Sequence, residues 1–74
     1  MNNNTLRAML KFANATVFAN HCMQEHTHAI CFGDEQEVLN TTLMNTDAQG
    51  ELQACKSALE HAILDEAAEE TKTA

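Results

Sequence analysis

The chain has 74 residues, a mass of 8.2 kDa and room for one domain. Its composition, 45% hydrophobic and 20% charged, is typical of a folding chain and excludes disorder throughout. The net charge of −7 opposes binding to nucleic-acid phosphates or anionic lipid surfaces, so neither is expected as a direct partner. No run approaches the roughly 20 apolar residues that a membrane span needs, so no membrane association is expected either.

The hydrophobic fraction contains much alanine, only three Phe and no Tyr or Trp. A chain this short buries only about 60% of the surface that its unfolded state exposes, which leaves its stability marginal. A second copy of the chain is the simplest source of further buried surface. The composition therefore predicts a homo-oligomer.

The three cysteines are an odd set without the density of a disulfide scaffold: Cys22, Cys31 and Cys55. This pattern is typical of reduced thiols, so we expect a cytoplasmic protein. Free cysteines usually pack as small hydrophobic side chains.

The first predicted helix covers residues 5–23. Its apolar residues follow the helical spacing i, i+4, i+7 and i+11: Leu6, Leu10, Ala13 and Val17. The polar residues in front of this stripe are the candidate N-caps: Asn3, Asn4 and Thr5.

Residues 24–33 break this pattern, and we expect an extended kink at 27–33 that ends at Gly33. Asp34 and Glu37 have the spacing of a capping box, which predicts a short helix over residues 35–45. The alternative is an α+β fold with a β-hairpin at residues 28–44, favoured by β-branched residues in the second half.

The last predicted helix covers residues 48–66, with Thr46 or Asp47 as its N-cap. Its apolar stripe is Leu52, Cys55, Leu59, Ala62 and Ile63. The fold class is therefore all-α, a single domain over residues 1–66 with an acidic flexible tail at 67–74. The two longer helices should pack antiparallel, with these contacting sets: Leu6, Leu10 and Val17 against Leu52, Leu59 and Ile63.

Five potential metal ligands fall within residues 21–31. Four of them could surround a zinc ion if the chain turned at Thr27: Cys22, His26, His28 and Cys31. The structural alternative is that the histidines lie at a helix C-terminus, where they interact with the helix dipole, while the thiols pack. Zinc is the one cofactor that the sequence suggests, and no motif indicates an enzyme.

Two hydrophobic side chains, Phe18 and Leu64, lie off the predicted stripes and are candidates for an interaction surface. The candidate interaction surface also includes three acidic side chains near the end of the last helix, Glu60, Asp65 and Glu66. They could also mimic DNA phosphates, although a solvated helix face is the more common reason for such residues.

These features predict a small acidic protein-interaction or regulatory module that self-associates. Bacteria and phages encode accessory and inhibitor proteins of this size and charge. The alternatives are a small zinc-binding domain and an acidic mimic of nucleic acid.

Overall fold

The computed structural model describes residues 2–73, except for the side chains of residues 72 and 73. It contains two helices, α1 (Asn3–Phe32) and α2 (Glu35–Thr73), in a hairpin of 60 × 13 × 13 Å. The radius of gyration is 17.0 Å, well above the roughly 11 Å of a compact domain of this length. The all-α prediction is confirmed. The described residues contain no strand, so the alternative β-hairpin at residues 28–44 is wrong.

The chain reverses direction at Gly33 and Asp34. The Gly33 amide donates to the carbonyl of Ala29 (2.8 Å), and a Cβ atom at Gly33 would lie only 2.8 Å from that same oxygen. The Asp34 carboxylate accepts a hydrogen bond from the Glu37 amide (2.9 Å), as its spacing predicted. A glycine that permits close approach and an N-capping aspartate therefore form the turn.

Helix α1 is longer than predicted, because the extended kink at residues 27–33 is absent and the helix continues to Phe32. It also begins earlier. Asn2 is its N-cap and accepts a hydrogen bond from the Thr5 amide (2.9 Å), so the predicted caps Asn3, Asn4 and Thr5 lie inside the helix.

Helix α2 replaces the two helices predicted over residues 35–45 and 48–66. Thr46 does not cap a new helix, because its hydroxyl donates to the Thr42 carbonyl one turn earlier (2.8 Å), and Asp47 also lies within α2. The predicted tail at 67–74 is helical as far as Thr73, and residue 74 lies outside the described residues. Fraying of this segment stays a prediction.

Each helix turns one set of buried or half-buried side chains toward the other, and we call these sets the inner faces. The inner face of α1 consists of Thr5, Ala8, Phe12, Ala15, Ala19, Cys22, His26 and Ala29. The inner face of α2 consists of Val38, Thr41, Asn45, Ala48, Leu52, Cys55, Leu59, Ala62 and Glu66. In both, the spacing alternates between three and four residues, which is the heptad pattern of a coiled coil.

Cross-contacts define how the inner faces meet. At the open end of the hairpin, the Thr5 hydroxyl donates to the Ala62 carbonyl (3.5 Å) and to the Glu66 carboxylate (3.4 Å). Near the turn, the His26 ring shares a hydrogen bond with the Thr41 hydroxyl (3.0 Å). Between them, Ala19, Cys22 and Ala48 form a small cluster against which Leu52 packs.

The side chains buried between the helices are small. The fully buried residues are Thr5, Ala19, Cys22, Ala29 and Ala48. The predicted packing of Leu6, Leu10 and Val17 against α2 is wrong, since these side chains are 46%, 66% and 70% exposed. Small residues allow close contact between helix backbones, and they occupy the α1 face that meets α2. On α2, Leu52 and Leu59 are half-buried as expected, but Ile63 is exposed.

Candidate protein interface

Most of the large hydrophobic side chains lie on the outside of the hairpin. The exposed ones are Leu6, Met9, Leu10, Val17, Phe18, Met23, Ile30, Phe32, Leu39, Leu43, Met44, Ile63 and Leu64. Single exposed hydrophobic residues are normal on protein surfaces, but a set this large on a chain of 74 residues makes the outside of the hairpin a candidate interaction surface.

Charged and uncharged exposed residues lie on different sides of α1. One side carries Arg7, Lys11, His21, Glu25 and His28, all exposed. Another side carries no Asp, Glu, Lys, Arg or His residue along the whole helix, and we call it the uncharged face. Its members are Leu6, Met9, Leu10, Ala13, Thr16, Val17, Asn20, Met23, Gln24, Thr27, Ile30 and Cys31. All of them are exposed except Thr16, which is half-buried.

Helix α1 therefore has two distinct stripes. A helix advances about 100° per residue, so the centre of the uncharged face lies roughly 120° around α1 from the centre of the inner face. On the same side of the hairpin, α2 contributes hydrophobic residues only toward its ends, Leu39 and Ile63. The middle of α2 is polar there, with Gln49, Gln53 and Lys56. The apolar surface on this side belongs mainly to α1.

The interaction residues predicted from the sequence are not brought together. Phe18 and Leu64 are 52% and 65% exposed, but they lie on different helices and outside the uncharged face. Glu60 and Asp65 are exposed on α2. Glu66 is half-buried and accepts hydrogen bonds from the Asn2 amide and the Thr5 hydroxyl, so it holds the open end of the hairpin together.

The residues that sequence reasoning missed at this surface are those it assigned to the core, Leu6, Leu10 and Val17. One signal could have located them correctly. The stripe of α1 that contains Leu6, Leu10 and Val17 carries no charged residue over its whole length. The inner face is instead rich in alanine and includes His26. Two apolar stripes on one helix indicate two packing partners.

The four predicted zinc ligands do not converge. Cys22 and His26 lie together on the inner face, where Cys22 is buried and His26 contacts Thr41. Because α1 stays helical through Thr27, His28 and Cys31 lie about 120° and 180° around the helix from Cys22. Residues 2–71 contain no group of three or more His, Cys, Asp or Glu side chains that could hold a metal ion. The predicted turn was the condition for this site, and the helix removes it.

The thiols occupy three different settings: Cys22 is buried, Cys55 is half-buried on the inner face of α2, and Cys31 is exposed on the uncharged face. None of the three forms a disulfide within the chain. Neither helix, over the part of the chain described, is long and apolar enough to cross a membrane. Comparison of the chain with protein-family models, with curated proteins and with solved structures found no match.

Proposed function

We propose that this chain is a protein-interaction module that self-associates, with a homodimer of helical hairpins as its smallest working form. The observation that carries the proposal is the inverted distribution of side-chain size. The fully buried residues of the seam are alanine, threonine and cysteine, while most of the leucine, isoleucine, methionine and phenylalanine side chains are exposed.

Energetics support this proposal. Full burial of a large aliphatic or aromatic side chain contributes about 1.5–3 kcal/mol, and an alanine contributes far less. Ordering the backbone costs about 1–2 kcal/mol per residue. A seam whose fully buried members are Thr5, Ala19, Cys22, Ala29 and Ala48 offsets little of that cost. Association that covers the outer hydrophobic residues would supply the missing burial.

The charge distribution fits a module that binds selectively. Acidic residues such as Asp47, Glu51 and Asp65 are exposed on α2, away from the uncharged face of α1. Like charges on these surfaces oppose stacking of hairpins through α2, while the uncharged face carries no such barrier. An accessory or inhibitor role, in which the assembled hairpins contact a further protein, suits a module of this size. The zinc-binding alternative lacks such support, because its four ligands do not share one face of α1.

Sedimentation equilibrium and thermal unfolding test self-association directly. We expect a mass above 8.2 kDa and a melting temperature that rises across a roughly 100-fold range of protein concentration, because mass action stabilises the associated form. A mass of 8.2 kDa with a constant melting temperature at every concentration would contradict the proposal.

A further inference from the structure

We propose that the uncharged face of α1 packs antiparallel against the same face of α1 in a second copy, with Ala13 of each copy opposite Met23 of the other. This inference rests on the self-association proposed above and specifies its surface, its direction and its register. Each α1 would then contact its own α2 through the inner face and the partner's α1 through the uncharged face.

The first argument is the pattern of the uncharged face. Within it, eight residues repeat at alternating intervals of three and four: Leu6, Met9, Ala13, Thr16, Asn20, Met23, Thr27 and Ile30. This is a second heptad seam, the spacing that lets side chains interlock with another helix. The roughly 100° between the two seams is the angle that a helix needs at the corner of a four-helix bundle, where it has two neighbours.

The second argument is area. The seam from Leu6 to Ile30 is about 37 Å long at 1.5 Å per residue, and a helix face is about 12 Å wide. Such a strip covers about 450 Å² on each copy, or about 900 Å² for the pair. Leu39 and Ile63 lie on the same side of the hairpin and bring the total to about 1,000 Å², the lower level of specific interfaces.

The third argument concerns direction. In an antiparallel pair centred between Thr16 and Asn20, both methionines of the seam meet smaller side chains. The opposed pairs are Leu6 with Ile30, Met9 with Thr27, Ala13 with Met23 and Thr16 with Asn20. A parallel pair would place each residue against its own copy, so that two methionines crowd at Met9 while two alanines leave a gap at Ala13. Close packing therefore favours the antiparallel arrangement.

Charge favours the same direction. Residues 2–24 contain Arg7 and Lys11 and no acid, whereas residues 25–37 contain four acids and no lysine or arginine. The antiparallel arrangement places the basic start of each α1 over the acidic turn of the other copy, whereas the parallel one places the two basic segments together and the two acidic turns together. The acidic residues of α2 that lie beside the start of α1, Glu60, Asp65 and Glu66, reduce this preference. Salt screens these charges, since they lie away from the seam, so they select the direction more than they add affinity.

Charge variants in the seam test the inference, with sedimentation equilibrium and circular dichroism as readouts. Ala13→Glu inserts a carboxylate opposite Met23, and we expect it to weaken the dimer at least about tenfold because the charge is buried without a partner. Ala54→Glu is the matched control, since it makes the same change at an exposed position on the polar side of α2. We expect this control to dimerise like the unmodified chain.

The double variant Ala13→Glu/Met23→Lys tests the register. In the proposed pair each new glutamate faces a new lysine, so the double variant should recover dimer mass and helicity relative to either single change, even if dissociated chains unfold. A parallel pair would oppose like charges and weaken further. A dimer that survives Ala13→Glu, or a double variant that does not recover, overturns this inference while leaving self-association standing. An unmodified chain that is monomeric throughout overturns the proposed function itself.

Discussion

The two glycines of the chain serve opposite purposes. Gly33 ends α1 at the turn, and a methyl group there would lie 2.8 Å from the Ala29 carbonyl and 3.1 Å from the Ala29 Cα, both backbone atoms that cannot easily move. Gly50 lies inside α2 with nothing within 4 Å of an added Cβ atom. Gly33 is required because the backbone there lies close to Ala29 in the last turn of α1, whereas Gly50 only weakens α2.

Alanine substitutions at these glycines should therefore change stability in opposite directions. We expect Gly33→Ala to lower the free energy of unfolding by about 1–3 kcal/mol, because the turn must open to admit the methyl group. Gly50→Ala should raise it by about 0.5–1 kcal/mol, because alanine has the higher helix propensity. Urea unfolding at one fixed protein concentration measures both. Loss of stability in Gly50→Ala would contradict a continuous helix α2.

At the scale of the helices, the sequence predicted the elements better than their packing. Helical spacing predicted a helix in each arm of the hairpin, over residues 5–23 and 48–66. The Asp34–Glu37 spacing located the start of α2. The threonines and Asp47 near residue 46 resembled a helix boundary, because these residues cap helices as readily as they bond to the preceding turn within them. Local composition cannot distinguish these two cases.

The partner of each face of α1 was harder to predict. Ranking side chains by size places Leu6, Leu10 and Val17 in the core, and the structure instead buries alanine and cysteine. A helix with two apolar stripes has two possible orientations, and the choice depends on which stripe fits α2. The four proposed zinc ligands are not brought together for a related reason, since the site required a break at Thr27 that the helix does not contain.

A size change at one seam residue tests this orientation. Ala19 is 1% exposed on the inner face, so Ala19→Leu should force the helices apart and lower the free energy of unfolding by about 1–3 kcal/mol. Ala54→Leu is the control, because it adds the same atoms at an exposed position of α2. Thermal unfolding of both variants at matched concentration gives the comparison. If Ala19→Leu were tolerated as well as Ala54→Leu, the small-residue seam would not be the contact between the helices.

At the scale of the whole molecule, the hairpin is a rod whose two helices differ in length. Helix α1 has 30 residues and α2 has 39, so α2 extends beyond the start of α1. The extra turns amount to about 14 Å at 1.5 Å per residue. An antiparallel pair centred on α1 must therefore leave the ends of the two α2 helices protruding at opposite ends.

This overhang predicts the length of the dimer. One hairpin is 60 Å long, and two hairpins stacked antiparallel through α1 should reach about 75 Å, because the partner adds one overhang. Small-angle X-ray scattering measures the maximum dimension at a concentration where the mass is twice 8.2 kDa. A value near 60 Å would indicate hairpins aligned side by side, either in parallel through α1 or with α1 against the partner's α2. A value near 120 Å would indicate contact through their ends. Only the intermediate length agrees with two antiparallel α1 helices at the centre of the assembly, with the uncharged face of each covered by the same face of the other.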